Sequence, residues 1–138
     1  MTEGDIILSL DRPVVSGGLK VARVTSADLP ALLLQRVGRF QLKEGIQADY
    51  LYHFLHTQDF ISEITAHDQS LGVPHVSPKQ VEHVQFPAPP IAEQRTVAAR
   101  IETELGEARA LVAHLSARLT ALDHLPAALL REAFRGRL

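Results

Sequence analysis

Between Ala98 and Leu122 the apolar residues fall at Ala98, Ile101, Leu105, Ala108, Val112, Leu115, Leu119 and Leu122, in steps that alternate three and four. This is the a/d spacing of a coiled-coil seam, held for eight consecutive positions without a polar residue. A strand repeats every two residues and cannot use such a pattern. The segment is therefore predicted to be one long helix with a single apolar stripe. It follows a proline-stiffened junction, Gln85-Phe86-Pro87-Ala88-Pro89-Pro90. Pro90 suits a first helical turn, and Glu93 places a negative charge near the positive end of the helix. The next seam position holds Pro126, which removes a backbone donor and crowds the preceding turn. The helix is expected to end or kink near Leu125. From Ile91 to Leu125 is 35 residues, roughly 52 Å at about 1.5 Å per residue. Gly106 is its weak link, about 1 kcal/mol poorer than alanine.

A stripe of this kind needs cover. Either the helix lies along its own domain, or it pairs with a second chain or a helix of a larger assembly. The second reading is favoured, because 35 residues outrun a domain built from the rest of a 138-residue chain. The pairing positions are Ala98, Ile101, Leu105, Ala108, Val112, Leu115, Leu119 and Leu122. Phe134, with Leu129 and Leu130, is expected to anchor the far end on a partner or a neighbouring domain. A rod entered through prolines points to a part that sets distance and orientation, with no catalysis of its own.

Composition removes several classes. The chain has no cysteine, hence no disulfide framework and no thiolate zinc site. It has no run of 18 apolar residues and no basic-then-apolar start, so it reads as a soluble intracellular protein. The net charge of -2 gives no general attraction to nucleic acid. Residues 1–90 carry 7 Lys+Arg against 10 Asp+Glu, and residues 91–138 carry 7 against 6. Any contact with DNA must come from a local patch.

The first 85 residues read as a small mixed lobe, giving an α+β class with the long helix after it. Gly4-Asp5 leads into a buried strand, Ile6-Ile7-Leu8-Ser9-Leu10, and Leu19 to Val24 alternates as a second strand. Pro13 and Gly17-Gly18 mark the loop between them. Leu32 to Lys43 shows period two, with Leu32, Leu34, Phe40 and Leu42 on one face and Gln35, Arg39, Gln41 and Lys43 on the other. Arg36 falls on the apolar side and is placed near a strand edge or a partner carboxylate. Asp49 is read as the cap of a helical stretch over Tyr50 to Thr65, divided at Thr57. His67 to Lys79 reads as a polar loop with glycine and two prolines, and within it Ser77-Pro78 is the cap and first turn of a short helix over Lys79 to His83.

Taken in order, Gly4-Asp5-Ile6-Ile7, Asp49-Tyr50-Leu51-Tyr52-His53-Phe54-Leu55, Val76-Ser77-Pro78-Lys79-Gln80-Val81 and Phe86-Pro87-Ala88-Pro89-Pro90-Ile91-Ala92-Glu93-Gln94 resemble the specificity (S) subunit of type I restriction-modification enzymes. The ending, Ala133-Phe134-Arg135-Gly136-Arg137-Leu138, resembles the way the helical regions of that family close. The resemblance implies a non-catalytic, cytoplasmic bacterial protein that reads double-stranded DNA with a target recognition domain. It implies a helical spacer that docks methyltransferase (M) subunits and, through them, the restriction (R) subunit. Cofactors belong to those partners: S-adenosylmethionine to the methyltransferase and ATP to the motor-nuclease subunit. A complete S subunit resembles two recognition domains alternating with two helical regions, whereas this chain has one helical region and its recognition domain starts late. A fragment or a half-subunit that forms a homodimer is expected. The division is then 1–85 recognition domain, 86–90 junction, 91–125 spacer and 126–138 short terminal helix. The alternative is a truncated dimerisation or methyltransferase-docking module that no longer reads DNA.

Candidate DNA contacts are Arg36, Arg39 and Lys43 from the period-two segment, with Gln69, Ser70, His75 and Lys79 from the loop and helix after it. Each supplies a donor or a cation suited to a base edge or a phosphate, and each is equally readable as a solvated surface residue. Arg131, Arg135 and Arg137 suit a phosphate or the helix C-terminus. His53 and His56 stand three apart on a helix, but no third ligand has metal-site spacing. There is no nucleophile elbow and no phosphate loop.

Overall fold

The computed structural model describes residues 1–16, 18–66 and 75–136. It divides into two compact units, Met1–Ala98 and Ala99–Leu138.

The centre of the first unit is a three-stranded antiparallel sheet with the Ile6–Ser9 strand between Val21–Arg23 and Val37–Arg39. β1 (Ile6–Ser9) buries Ile6 and Leu8 and leaves Ile7 and Ser9 half-covered, as alternation requires. It pairs Ile7 with Ala22 of β4 (Val21–Arg23) and Leu8 with Gly38 of β5 (Val37–Arg39). Two residues each from β2 (Val14–Val15) and β3 (Gly18–Leu19) form a separate ladder. The predicted strand Leu19 to Val24 is thus split at Lys20, whose N–H turns to the Pro13 carbonyl at 2.6 Å while its own carbonyl accepts from Ser9.

The period-two reading of Leu32 to Lys43 is corrected: only Val37–Arg39 is strand. Among the described residues β1 is its sole partner and offers three paired residues, and Arg36 adopts a left-handed φ of 68° that no strand continues through. Leu32 and Leu34 are exposed. Arg39 and Lys43 consequently do not share a strand face.

α1 (Ala48–Leu55) and α2 (Gln58–Thr65) cover the sheet, divided at Thr57, whose hydroxyl accepts from the Phe60 N–H. The cap of α1 is Gln47 and not Asp49. The Gln47 side-chain oxygen accepts from the Tyr50 N–H, and Asp49 is held elsewhere, by the Gln47 amide and by Arg23. Leu51, Leu55, Phe60 and Ile64 meet Ile6, Leu8, Leu19 and Val76 in one core. Phe86, from the proline junction, sets its ring edge-on to Phe54 at 5.1 Å between centroids. α3 (Pro78–His83) starts as expected, with Ser77 and Gln80 forming a reciprocal capping box and Pro78 in the first turn.

α4 (Ile91–Phe134) is continuous over 44 residues. Pro90 is its cap and not a residue of its first turn, since the Pro90 carbonyl accepts from the Glu93 and Gln94 N–H groups. The helix also does not stop at Leu125. Proline removes one backbone bond, but Ala127-Ala128-Leu129-Leu130-Arg131-Glu132-Ala133 are all strong helix formers and carry it onward. The stop is Gly136, at a φ of 67°, whose N–H returns to the Ala133 carbonyl. No described helix is long and apolar enough to cross a membrane.

Candidate nucleic-acid interface

The candidate cations are placed by the sheet and by the segment that returns beside β1. Arg39 ends β5 opposite Ile7, and its Nη1 donates to Asp5 Oδ2 at 3.2 Å. The Asp5 carboxyl lies below the usual carboxylate range, first through the Thr2 backbone N–H at 2.8 Å; burial opposes this and Arg39 adds to it. Arg36 occupies its left-handed turn with the Leu10 N–H donating to its carbonyl at 2.8 Å. Such a backbone costs a non-glycine residue about 1–2 kcal/mol, so the turn is held by its surroundings.

Asp11 gathers two predicted residues. Arg36 Nη1 donates to Asp11 Oδ1 at 3.0 Å, and His75 Nδ1 lies 2.7 Å from the same oxygen. The two side chains stand 3.3 Å apart. Backbone pairing makes this possible: Asp11 bridges to His75, and the Val76 N–H donates to the Leu10 carbonyl at 2.9 Å. Partial burial raises the Asp11 pKa, but the hydrogen bonds from His75 and Arg36 outweigh it and hold the group ionised to lower pH.

These residues border two concavities that share Leu10 and Pro78 as walls. One, of about 410 Å³, is lined by Asp11, Gln35, Arg36, His75, Ser77 and Gln80 among others. The second, of about 560 Å³, is bordered by Arg39, Gln41 and Lys43 on one side and Val81 and Glu82 of α3 on the other. Lys43 and Lys79 are exposed, and neither has an ion pair among the described residues. Gln69 and Ser70 lie outside the described residues, as does Arg137.

The joined face presents guanidinium, ammonium and carboxamide groups beside the carboxylates of Asp11 and Glu82. Arginine and glutamine are the residue types that bond guanine and adenine edges in pairs, and lysine meets phosphate. Gln35, Gln41 and Gln80 had not been singled out, nor had Asp5 and Asp11. The carboxylates were hidden because their partners lie 34, 25 and 64 residues away.

His53 and His56 are both on α1. The His56 pKa is lowered by burial first, then by His53 and by the Arg23 guanidinium, so the surroundings resist a charge on His56. No group of three or more metal-binding side chains occurs among the described residues.

On the helix, Ala98 is already buried within the first unit, with 1% exposed. The open part of the seam begins after it: Ile101 is half-buried, and Leu105, Ala108, Val112, Leu115, Leu119 and Leu122 are exposed. Because the helix continues, the alternation of three and four extends through Pro126 to Leu129 and Ala133. Leu111, Leu125 and Leu130 widen the stripe, and Phe134 is 91% exposed.

A family model described as type I restriction modification DNA specificity domain matches residues 1–121. The chain belongs to that family. It is 40% identical over 103 residues to the type I restriction enzyme EcoAI specificity subunit of Escherichia coli, covering 74% of this chain and 17% of that protein. The MjaVIII specificity subunit of Methanocaldococcus jannaschii is 32% identical over 104 residues, 75% of this chain and 24% of that protein. The EcoBI specificity subunit of Escherichia coli is 33% identical over 110 residues, 79% and 23% of the two lengths. The chain thus spans about a fifth of the length of these curated relatives. No solved structure gives a significant match.

Proposed function

We propose that this chain is the DNA-reading and spacing part of a type I specificity subunit. Its first unit reads one half of a split site through the face bordered by Arg36, Arg39, Lys43 and His75, with Lys79 from α3 and Gln69 and Ser70 from the loop adding contacts. Its long helix sets the distance to the second half-site and docks the methyltransferase subunits, which in turn hold the restriction subunit. Paired copies of the helix recreate a two-recognition-domain arrangement, and a symmetric homodimer favours a palindromic split site. The chain contributes no catalytic residue and no cofactor, and acts in the cytoplasm.

The observation that carries this reading is the pairing, in one family member, of a cation-bordered face with a helix whose apolar seam stays open over some thirty residues. The test is a gel shift of bulk duplex DNA by the methyltransferase subunit with and without this chain, over a salt series. Binding that requires the chain and weakens steeply with salt supports it.

A second reading has its own support. Arg36 and Arg39 are already paired with carboxylates of the same chain, and residues 1–90 carry more acid than base. A module that only dimerises or docks the methyltransferase fits those facts, and would leave DNA affinity unchanged when added.

A further inference from the structure

Gln94 is the one buried polar residue among those described, with 1% of its surface exposed. It stands in the first turn of α4. Its Oε1 accepts from the Gln47 backbone N–H at 2.9 Å. Its Nε2 donates to the Gly45 carbonyl at 2.9 Å and to the Pro89 carbonyl at 2.7 Å. The helix does not need this side chain in order to start, because the Pro90 carbonyl already accepts the first backbone bonds. An apolar residue would fill the same space without desolvating an amide. What an amide adds is direction, since each hydrogen bond fixes an angle as well as a distance.

The contacts continue beyond Gln94. Gln47 caps α1 with its own oxygen and donates to Asp49 Oδ2 at 2.5 Å. Asp49 pairs with Arg23 at the end of β4, whose guanidinium lies 4.2 Å over the Tyr52 ring. One turn after Gln94, the small side chain of Ala98 is fully covered. The root of the helix is therefore fastened through Gln94 to an assembly that reaches the sheet, and it is covered again at Ala98.

We propose that Gln94 is a positioning residue that sets which separation of half-sites is read. This rests on the split-site reading above. Ala98 and Ser116, near the middle of the exposed seam, are 18 residues apart, or about 27 Å of helix. Successive base pairs are about 3.4 Å apart. An angular play of about 7° at the root moves the middle of the seam by one base-pair step. Discriminating a single base pair of spacing requires a root stiffer than that, and the Gln94 clamp supplies the stiffness.

The experiment uses the full chain in complex with methyltransferase subunits. Duplexes carry two copies of the half-site selected by the wild-type complex, with the gap varied one base pair at a time. Gln94→Met, which removes all three bonds at similar volume, is expected to lower the preference for the best gap over its neighbours by roughly tenfold. Its affinity for a duplex with a single half-site should stay within about twofold. Gln94→Glu keeps the acceptor facing Gln47 but turns a carboxylate oxygen on the Gly45 and Pro89 carbonyls, so it should lower the gap preference at least as far as Gln94→Met. Gln94→Leu carries the test if circular dichroism shows Gln94→Met unfolded. Folded variants that keep the wild-type gap preference overturn the assignment of Gln94. A wild-type complex that binds half-sites without any gap preference overturns the split-site reading as well.

Discussion

At the scale of single residues, cations are supplied in two forms, paired and free. Arg36 and Arg39 rest on Asp11 and Asp5, whereas Lys43 and Lys79 have no ion partner among the described residues. Exposed pairs of this kind are weak and screened by salt, so their arginines remain available to a base edge. In the methyltransferase complex, Lys43→Ala is expected to reduce the slope of log affinity against log salt by about 1. Arg36→Ala should instead relax sequence preference at one position, read by binding to substituted duplexes. His56 gives a pH prediction. Its folded pKa lies below 6.5, chiefly through burial, so the unfolded chain takes up the proton first as pH falls. Stability is then full above about pH 6.5 and declines as pH drops from there toward the folded value. Thermal melting across that window should show the decline, and His56→Gln should flatten it.

At the scale of elements, legibility followed the reach of the pattern. The helix seam is readable because its periodicity is local and long; the helix runs past Leu125 because seven strong helix formers follow the one proline. The segment Leu32 to Lys43 failed for the opposite reason. Alternation marks a strand only where a partner exists, and β1 is four residues long. Of the site, residue types were legible but their grouping was not, since Asp11, Arg36 and His75 meet through long-range backbone pairing. Gln94 closes the motif that runs from Phe86, yet only its burial and hydrogen bonds show what it holds. The seam makes the prediction at this scale. Leu115→Asp places a carboxylate in the middle of the pairing face, which should cost several kcal/mol wherever that face is buried. Light scattering over a dilution series should show a wild-type dimer reduced to monomer in the variant. A wild-type monomer throughout would leave the methyltransferase as the partner of the seam.

At the scale of the whole molecule, two compact units carry two physical tasks. The first is a small sheet with helices and a face of donors; the second is one helix whose apolar side is left open. A net charge of -2 makes sequence-independent attraction weak, so any DNA affinity of this chain would rest on the local face. The most direct measurement is selection from a pool of randomised duplexes by the chain bound to its methyltransferase subunit, followed by sequencing. Two short defined blocks separated by a fixed unspecified gap are predicted, and as inverted repeats if the chain pairs with itself. A recovered pool with no enriched sequence, from a complex that still forms, would contradict DNA reading by this chain.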